Sequence, residues 1–264
     1  MCLTCGCGDE DSVRVSRIGA DGQASRHEHA HGHSHDHGGH VHENPTGTGG
    51  RTETLELGEQ ILAKNDHLAA RNRAWIAEHG ITALNLMSSP GSGKTSLLER
   101  TIAELSGTRE ICVIEGDQET LVDAQRIMAA GARAVQVNTG AGCHLDAPMV
   151  QQAMESLAPS DGALLFIENV GNLVCPALFD IGEQAKVVII SVTEGDDKPL
   201  KYPHMFAAAD LVIVNKTDLL PYVDFDLDRL EKQARSLRPD VDILAMSVRS
   251  GDNVDAWYTW LSAR

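Results

Sequence analysis

The sequence predicts an α/β fold: a three-layer sandwich with helices on both faces of a mostly parallel sheet. Three observations carry that prediction. Short apolar runs recur along residues 81–264, and most are continuously hydrophobic rather than alternating, as strands covered on both faces should be. The segments between them are long enough for crossover helices. At 264 residues the chain can bury one good-sized core and still carry an appendage.

Composition divides the chain into three. Residues 1–50 hold no aromatic residue and little hydrophobic periodicity, so they cannot bury enough apolar surface to offset their ordering entropy. They are expected to form a largely disordered tail, joined to the rest through Gly47-Thr48-Gly49-Gly50. Residues 51–80 place Leu55, Ile61, Leu62, Leu68, Ala69, Trp75 and Ile76 at roughly helical spacing, with Gly80 as the stop. They predict one amphipathic helix docked on the domain edge, with Gly58 and Asn65 as places where it could break. Residues 81–264 then supply strands at 83–88, 111–116, 134–138, 163–169, 187–192, 211–215 and 242–247. Crossover helices are expected at 95–106, 119–131, 147–157 and 226–237.

A net charge of −16 argues against nucleic acid or an anionic membrane as the main partner, because both require a cationic footprint. No apolar run approaches the roughly 18 residues that a membrane span needs. The opening MCLTCGCGDEDS is acidic and lacks the apolar core of a signal peptide, so a cytoplasmic location is expected. In that compartment the six cysteines read as thiols or metal ligands rather than disulfides.

Between the first of those strands and its helix lies SSPGSGKT, residues 88–95. It matches the phosphate-binding loop G-x-x-x-x-G-K-[ST] except that Ser88 stands for the first glycine. In an open parallel sheet ligands bind beyond the carboxyl ends of the strands, which is where this loop falls. Gly91, Ser92, Gly93 and Ser96 would turn backbone N–H groups toward phosphate at a helix N-terminus. Lys94 would reach the β- and γ-phosphates, and the Thr95 hydroxyl would coordinate Mg²⁺. The fold is therefore expected to be a P-loop NTPase.

NKTD, residues 215–218, follows another strand directly and resembles the guanine-reading N-K-x-D element. The Asp218 carboxylate would accept from the guanine N1–H and 2-amino groups, a donor pattern that adenine lacks. Asn215 and the Lys216 stem would brace the loop and cover the base, which favours GTP. FIENVG sets Glu168 at a strand end with Gly171 three residues on, like a D-x-x-G switch with Glu for Asp. Glu168 could hold Mg²⁺ directly or through water, and the Gly171 N–H could sense the γ-phosphate. Asp117 in EGDQET is a second candidate for Mg²⁺ or for positioning water, with a helix N-cap as its alternative role. Ser247 in MSVRSG stands where a final base-contacting loop belongs. No arginine finger is evident, so intrinsic hydrolysis should be slow.

Metal-ligand chemistry appears in three places. Cys2, Cys5 and Cys7 put three thiols within six residues, with Gly6 letting the chain fold back around one ion. His27, His29, His31, His33, His35, His37, His40 and His42 form an irregular tract. With an imidazole pKa of about 6.5 they are mostly neutral at cytoplasmic pH, and Ni²⁺, Cu²⁺ and Zn²⁺ would compete for them. Cys143-His144 and Cys175 lie in loops at the nucleotide-facing end of the sheet and form a third candidate site. Cys112, inside a strand, is expected only to pack.

Together these segments resemble the hydrogenase nickel-incorporation GTPases, the HypB family. The resemblance rests on the N-terminal C-x-x-C-G-C, SSPGSGKTSLLE, GDQET, NTGAGCHLD, ENVGNLVCP, EGDDKPLKYP and NKTD, spread over the whole chain. It implies a GTP-hydrolysing nickel metallochaperone that helps load Ni²⁺ into [NiFe]-hydrogenase. It further implies a GTP-dependent homodimer and a small zinc-containing hydrogenase accessory protein as partner. The hydrogenase large subunit precursor would be met directly or indirectly. By the same resemblance Cys143, His144 and Cys175 are the G-domain metal ligands, for Ni²⁺ with Zn²⁺ as the alternative, and the tail motifs suggest storage added to delivery. Two other readings stay open: a passive metal store on a degenerate nucleotide domain, and a related GTPase serving urease or a cobalamin-dependent mutase. Because Glu168 and Cys175 share one segment, nucleotide state and metal coordination are expected to be mechanically linked.

Overall fold

A computed structural model describes residues 14–18, 24–26, 50–117, 122–140 and 142–264. The expectations for Cys2, Cys5 and Cys7 and for the tract from His27 to His42 lie outside them.

All seven predicted strands form. They are β3 (Thr82–Ser88), β4 (Ile111–Asp117), β5 (Arg133–Asn138), β6 (Leu164–Glu168), β7 (Ala185–Ser191), β8 (Leu211–Asn215) and β9 (Asp242–Ala245). They pair in parallel in the order β5-β4-β6-β3-β7-β8-β9. The chain leaves β3 toward β4 and β5, then returns through β6 and crosses to β7, so strand order reverses around β3. That switch point opens the crevice a ligand uses. Each central strand feeds both layers: Leu84, Val113 and Phe166 face one core, while Ala83, Ile114 and Leu165 face the other. Burial on both faces is what makes these segments continuously apolar.

Helices α2 (Lys94–Leu105), α3 (Val122–Ala129) and α8 (Val254–Ser262) cover the first face, with Trp257 fully buried among Leu97, Leu98 and Phe166. On the other face lies α4 (Ala147–Leu157), started by the Asp146 carboxylate accepting from the Met149 N–H at 3.0 Å. The short α5 (Lys198–Lys201) and α6 (Pro203–Ala208) precede β8, and α7 (Leu227–Leu237) packs Leu230 and Ala234 against Phe206 and Val212.

Two features differ from expectation. Within the segment read as disordered, β1 (Arg14–Ile18) pairs antiparallel with β5, and β2 (Ala24–Arg26) pairs with β1. The partly buried Val15 packs against the second core, a long-range contact that local composition does not reveal. The N-terminal helix α1 (Gly50–Glu78) is unbroken at Gly58 and Asn65, and Leu62 is exposed. Its buried stripe is Asn65, Ala69, Asn72 and Ile76. Asn65 donates to the Asp180 carbonyl at 2.7 Å and accepts from the Ala147 N–H at 2.9 Å. Asn72 donates to the carbonyls of Ala147 and Ile181 at 2.9 and 3.1 Å. The helix therefore docks through buried amides as much as through apolar contact. Among the described residues no helix is long and apolar enough to cross a membrane.

Candidate nucleotide and metal sites

A cavity of about 530 Å³ opens at the switch point, lined by the loop after β3, the ends of β4 and β6, and Lys216 after β8. Gly91 and Gly93 take left-handed backbone angles, φ 77° and 104°. At Gly93 any Cβ would lie 2.4 Å from the Asn215 amide nitrogen, so close approach of two loops, as well as the turn, excludes a side chain. Asn215 ties those loops by donating to the Ser92 carbonyl at 2.8 Å. Lys216, itself at φ 64°, donates to the Gly91 carbonyl at 2.7 Å.

Ser88, in place of the first motif glycine, is not idle. Its hydroxyl accepts from the Lys94 ammonium at 3.0 Å. The same ammonium stands 3.9 Å from Glu168, whose carboxylate also accepts from the Thr95 hydroxyl at 2.8 Å. Burial pushes the Glu168 carboxyl upward, against the pull of Lys94. Its second oxygen, Oε2, is buried with no hydrogen-bond partner. Asp117 lines the cavity at the end of β4, and Gly171 lies against Pro90 of the phosphate loop. A pocket lined by a glycine-rich loop at the start of α2, one ammonium and buried carboxyl oxygens can accept a polyphosphate together with a divalent cation.

Asp218 and Ser247 do not line that cavity; they stand beyond the neighbouring strand ends, after β8 and β9. The Ser247 hydroxyl donates to the Asp218 carboxylate at 2.6 Å and accepts from the Ser250 N–H at 3.1 Å. Asn215 Oδ1 accepts from the Lys216 and Val248 N–H groups at 2.7 and 3.1 Å, binding the two loops together. The Asp218 side chain is thereby held in place at the end of β8.

The third cluster forms from both predicted loops. Ligand atoms of Cys143, His144 and Cys175 all lie within 4.8 Å of one another. The two sulfurs are 2.7 Å apart, and Cys143 Sγ is 3.7 Å from His144 Nδ1. His144 is buried against Phe179, ring centroids 3.9 Å apart, and burial lowers its pKa to about 4. The imidazole therefore stays neutral, as a metal ligand must be. Cys112 packs in the second core, its thiol pushed up by burial to about 12.

The nucleotide-binding-domain model described as CobW/HypB/UreG matches residues 82–245. Hydrogenase maturation factor HypB of Rhizobium leguminosarum bv. viciae is 58% identical over 207 residues, covering 78% of this chain and 69% of that protein. The chain belongs to the HypB branch of the CobW/HypB/UreG family. HypB of Escherichia coli strain K12 is 54% identical over 210 residues, 80% of this chain and 72% of that one. Crystal structures agree. HypB from Archaeoglobus fulgidus superposes with a TM-score of 0.72 at 40% identity, covering 76% of this chain and 98% of that chain. HypB from Helicobacter pylori, described as in complex with nickel, gives 0.71 at 40% identity, covering 76% and 94%. The domain is thus a P-loop GTPase of the HypB type, and the cavity opens beside its phosphate-loop motif.

Two polar residues in this HypB site escape a reading of motifs. Asn169, next to Glu168, accepts through Oδ1 from the N–H of Leu145 at 3.1 Å and from that of Val170 at 3.0 Å. Its amide donates to Asn85 at 3.2 Å, and Asn85 donates to Glu183 at 3.1 Å. Glu115, on β4, lines the cavity while only 3% exposed. A polar residue near the end of an otherwise apolar strand was the available signal for both.

Proposed function

We propose that the chain is a GTP-driven nickel carrier, which stores Ni²⁺ on its N-terminal Cys and His motifs and delivers it for [NiFe]-hydrogenase maturation. The observation that carries this reading is Asn169. It belongs to the segment that holds Glu168, yet its side chain fixes the backbone of Leu145, the residue after His144. Cys175 ends the same segment. Any rearrangement of residues 168–175 on nucleotide turnover must therefore act on all three metal ligands at once.

In this reading Lys94 and the loop N–H groups hold the β- and γ-phosphates, Asp218 and Ser247 read guanine, and Asn215 with Lys216 braces the base loop. Thr95, Glu168 and Asp117 hold Mg²⁺, which neutralises phosphate charge; the unpartnered Glu168 oxygen fits that need. Cys143, His144 and Cys175 take Ni²⁺, a borderline ion suited to thiolate and imidazole, with Zn²⁺ competing for the same donors. Three ligands leave coordination positions open for a donor or acceptor protein. The names of the HypB relatives support hydrogenase as the client. A GTP-dependent homodimer, the zinc-containing accessory protein and the hydrogenase large subunit precursor are the partners this role calls for, in the cytoplasm.

Cys175→Ser in the full chain tests the metal assignment. Titrated with Ni²⁺ against a chelator, it should lose one binding event that wild type shows, while GTP turnover persists. Unchanged nickel stoichiometry would remove Cys175 from the site.

A further inference from the structure

We infer that Glu115 is a positioning residue for the divalent cation bound with nucleotide, holding that ion's water ligands from outside the coordination sphere. The inference rests on the Mg²⁺ assignment just made. Strands β4 and β6 are adjacent and parallel, and their register sets Glu115 directly opposite Glu168. One step back along the same face the opposed pairs are Val113 and Phe166, both in the apolar core. The face thus switches from hydrocarbon to two carboxylates at the floor of the cavity.

Neither carboxyl group is fully satisfied by the protein. Gln136, opposite Glu115 on β5, supplies a hydrogen bond to one side of the group, yet Glu115 Oε2 is buried without a partner, as is Glu168 Oε2. The ammonium of Lys94 serves Glu168 and Ser88. The guanidinium of Arg126, also on the cavity wall, is taken by Glu99 and Asp123. Two buried acids side by side destabilise a sheet, and an apolar residue would fill the Glu115 position better. An oxygen lone pair held in this way at the cavity floor answers to a group that donates. Mg²⁺ binds through one or two carboxylates and keeps several waters, and those waters donate to outer-shell acceptors. Glu168 is near enough to Thr95 to take the inner position, which leaves Glu115 the outer one.

The test is a pair of melting experiments on the full chain, without nucleotide and with saturating GDP across a Mg²⁺ titration, for wild type, Glu115→Gln and Glu115→Asp. Glu115→Gln should melt a few degrees higher than wild type in the nucleotide-free state, because a neutral amide replaces an acid buried directly beside Glu168. Its half-saturating Mg²⁺ concentration for the GDP-dependent shift should rise about 10–100-fold, as for other outer-shell partners of metals. Glu115→Asp, which keeps the carboxylate, should bind Mg²⁺ more tightly than Glu115→Gln. A residue that merely packs would give the opposite pattern. An unchanged Mg²⁺ half-saturation, or a Gln variant that melts lower or does not fold, overturns the inference while leaving the nucleotide site standing. A wild-type protein whose melting ignores Mg²⁺ overturns the Mg²⁺ assignment and this inference with it.

Discussion

Lys94→Ala should lower the rate of GTP hydrolysis by about 10²–10³-fold, the usual loss when one preorganised electrostatic contact to the reacting group is removed. The Lys94 ammonium already lies at the hub of the cavity, between the Ser88 hydroxyl and the Glu168 carboxylate. It needs little reorganisation to meet a phosphate there, which is why its loss falls on the rate. The substitution also leaves Glu168 without its cation, so melting must be recorded alongside phosphate release. Nickel uptake by the proposed ligands Cys2, Cys5 and Cys7 should be unaffected, since they precede the domain in sequence. Equal loss of both activities would mean general unfolding; retained hydrolysis would remove Lys94 from the chemistry.

Asp218→Asn should weaken GTP binding on the order of 10²–10⁴-fold, because hydrogen bonds to a charged acceptor contribute about 1.5–3 kcal/mol each and two are at stake. The Ser247 hydroxyl, 2.6 Å from the carboxylate, can still donate to the asparagine carbonyl, so the side chain should keep its place. Xanthosine triphosphate carries a 2-oxo acceptor where guanine has an amino donor, and the new amide can serve it. Competition between the two nucleotides should therefore reverse in favour of xanthosine triphosphate. A variant that loses both equally would mean that Asp218 supports the loop without reading the base.

The parts of this molecule that were legible in the sequence share one property: their signal is local. SSPGSGKT, NKTD and FIENVG each sit within a few residues of a strand end, and burial of β3 to β8 on both faces leaves continuous apolar runs. What was not legible depends on partners distant in the chain. RVSRI becomes a strand only because β5 offers an edge. The stretch VDAWYTWLS has few strong helix formers, and it becomes α8 because Trp257 fills a core made by α2 and β6. Pro199 and Pro203 hide α5 and α6, although each stands in the first turn, where proline is tolerated. On α1 the apolar stripe misleads, since the docking face carries Asn65 and Asn72. Glu115 and Asn169 look like ordinary strand-end residues until register sets one opposite Glu168 and a side-chain bond ties the other to the loop that carries Cys143 and His144.

The central claim is that guanine nucleotide and nickel act on one segment, residues 168–175. It is tested most directly in the full chain with Cys2, Cys5 and Cys7 changed to Ser, so that the cluster of Cys143, His144 and Cys175 holds the tight nickel site. Nickel affinity would be measured by chelator competition, once with GDP and once with a non-hydrolysable GTP analogue. Coupling between two sites in one protein is commonly 5–150-fold, and a change of about tenfold or more is expected here. Equal affinities in the two states would contradict the account.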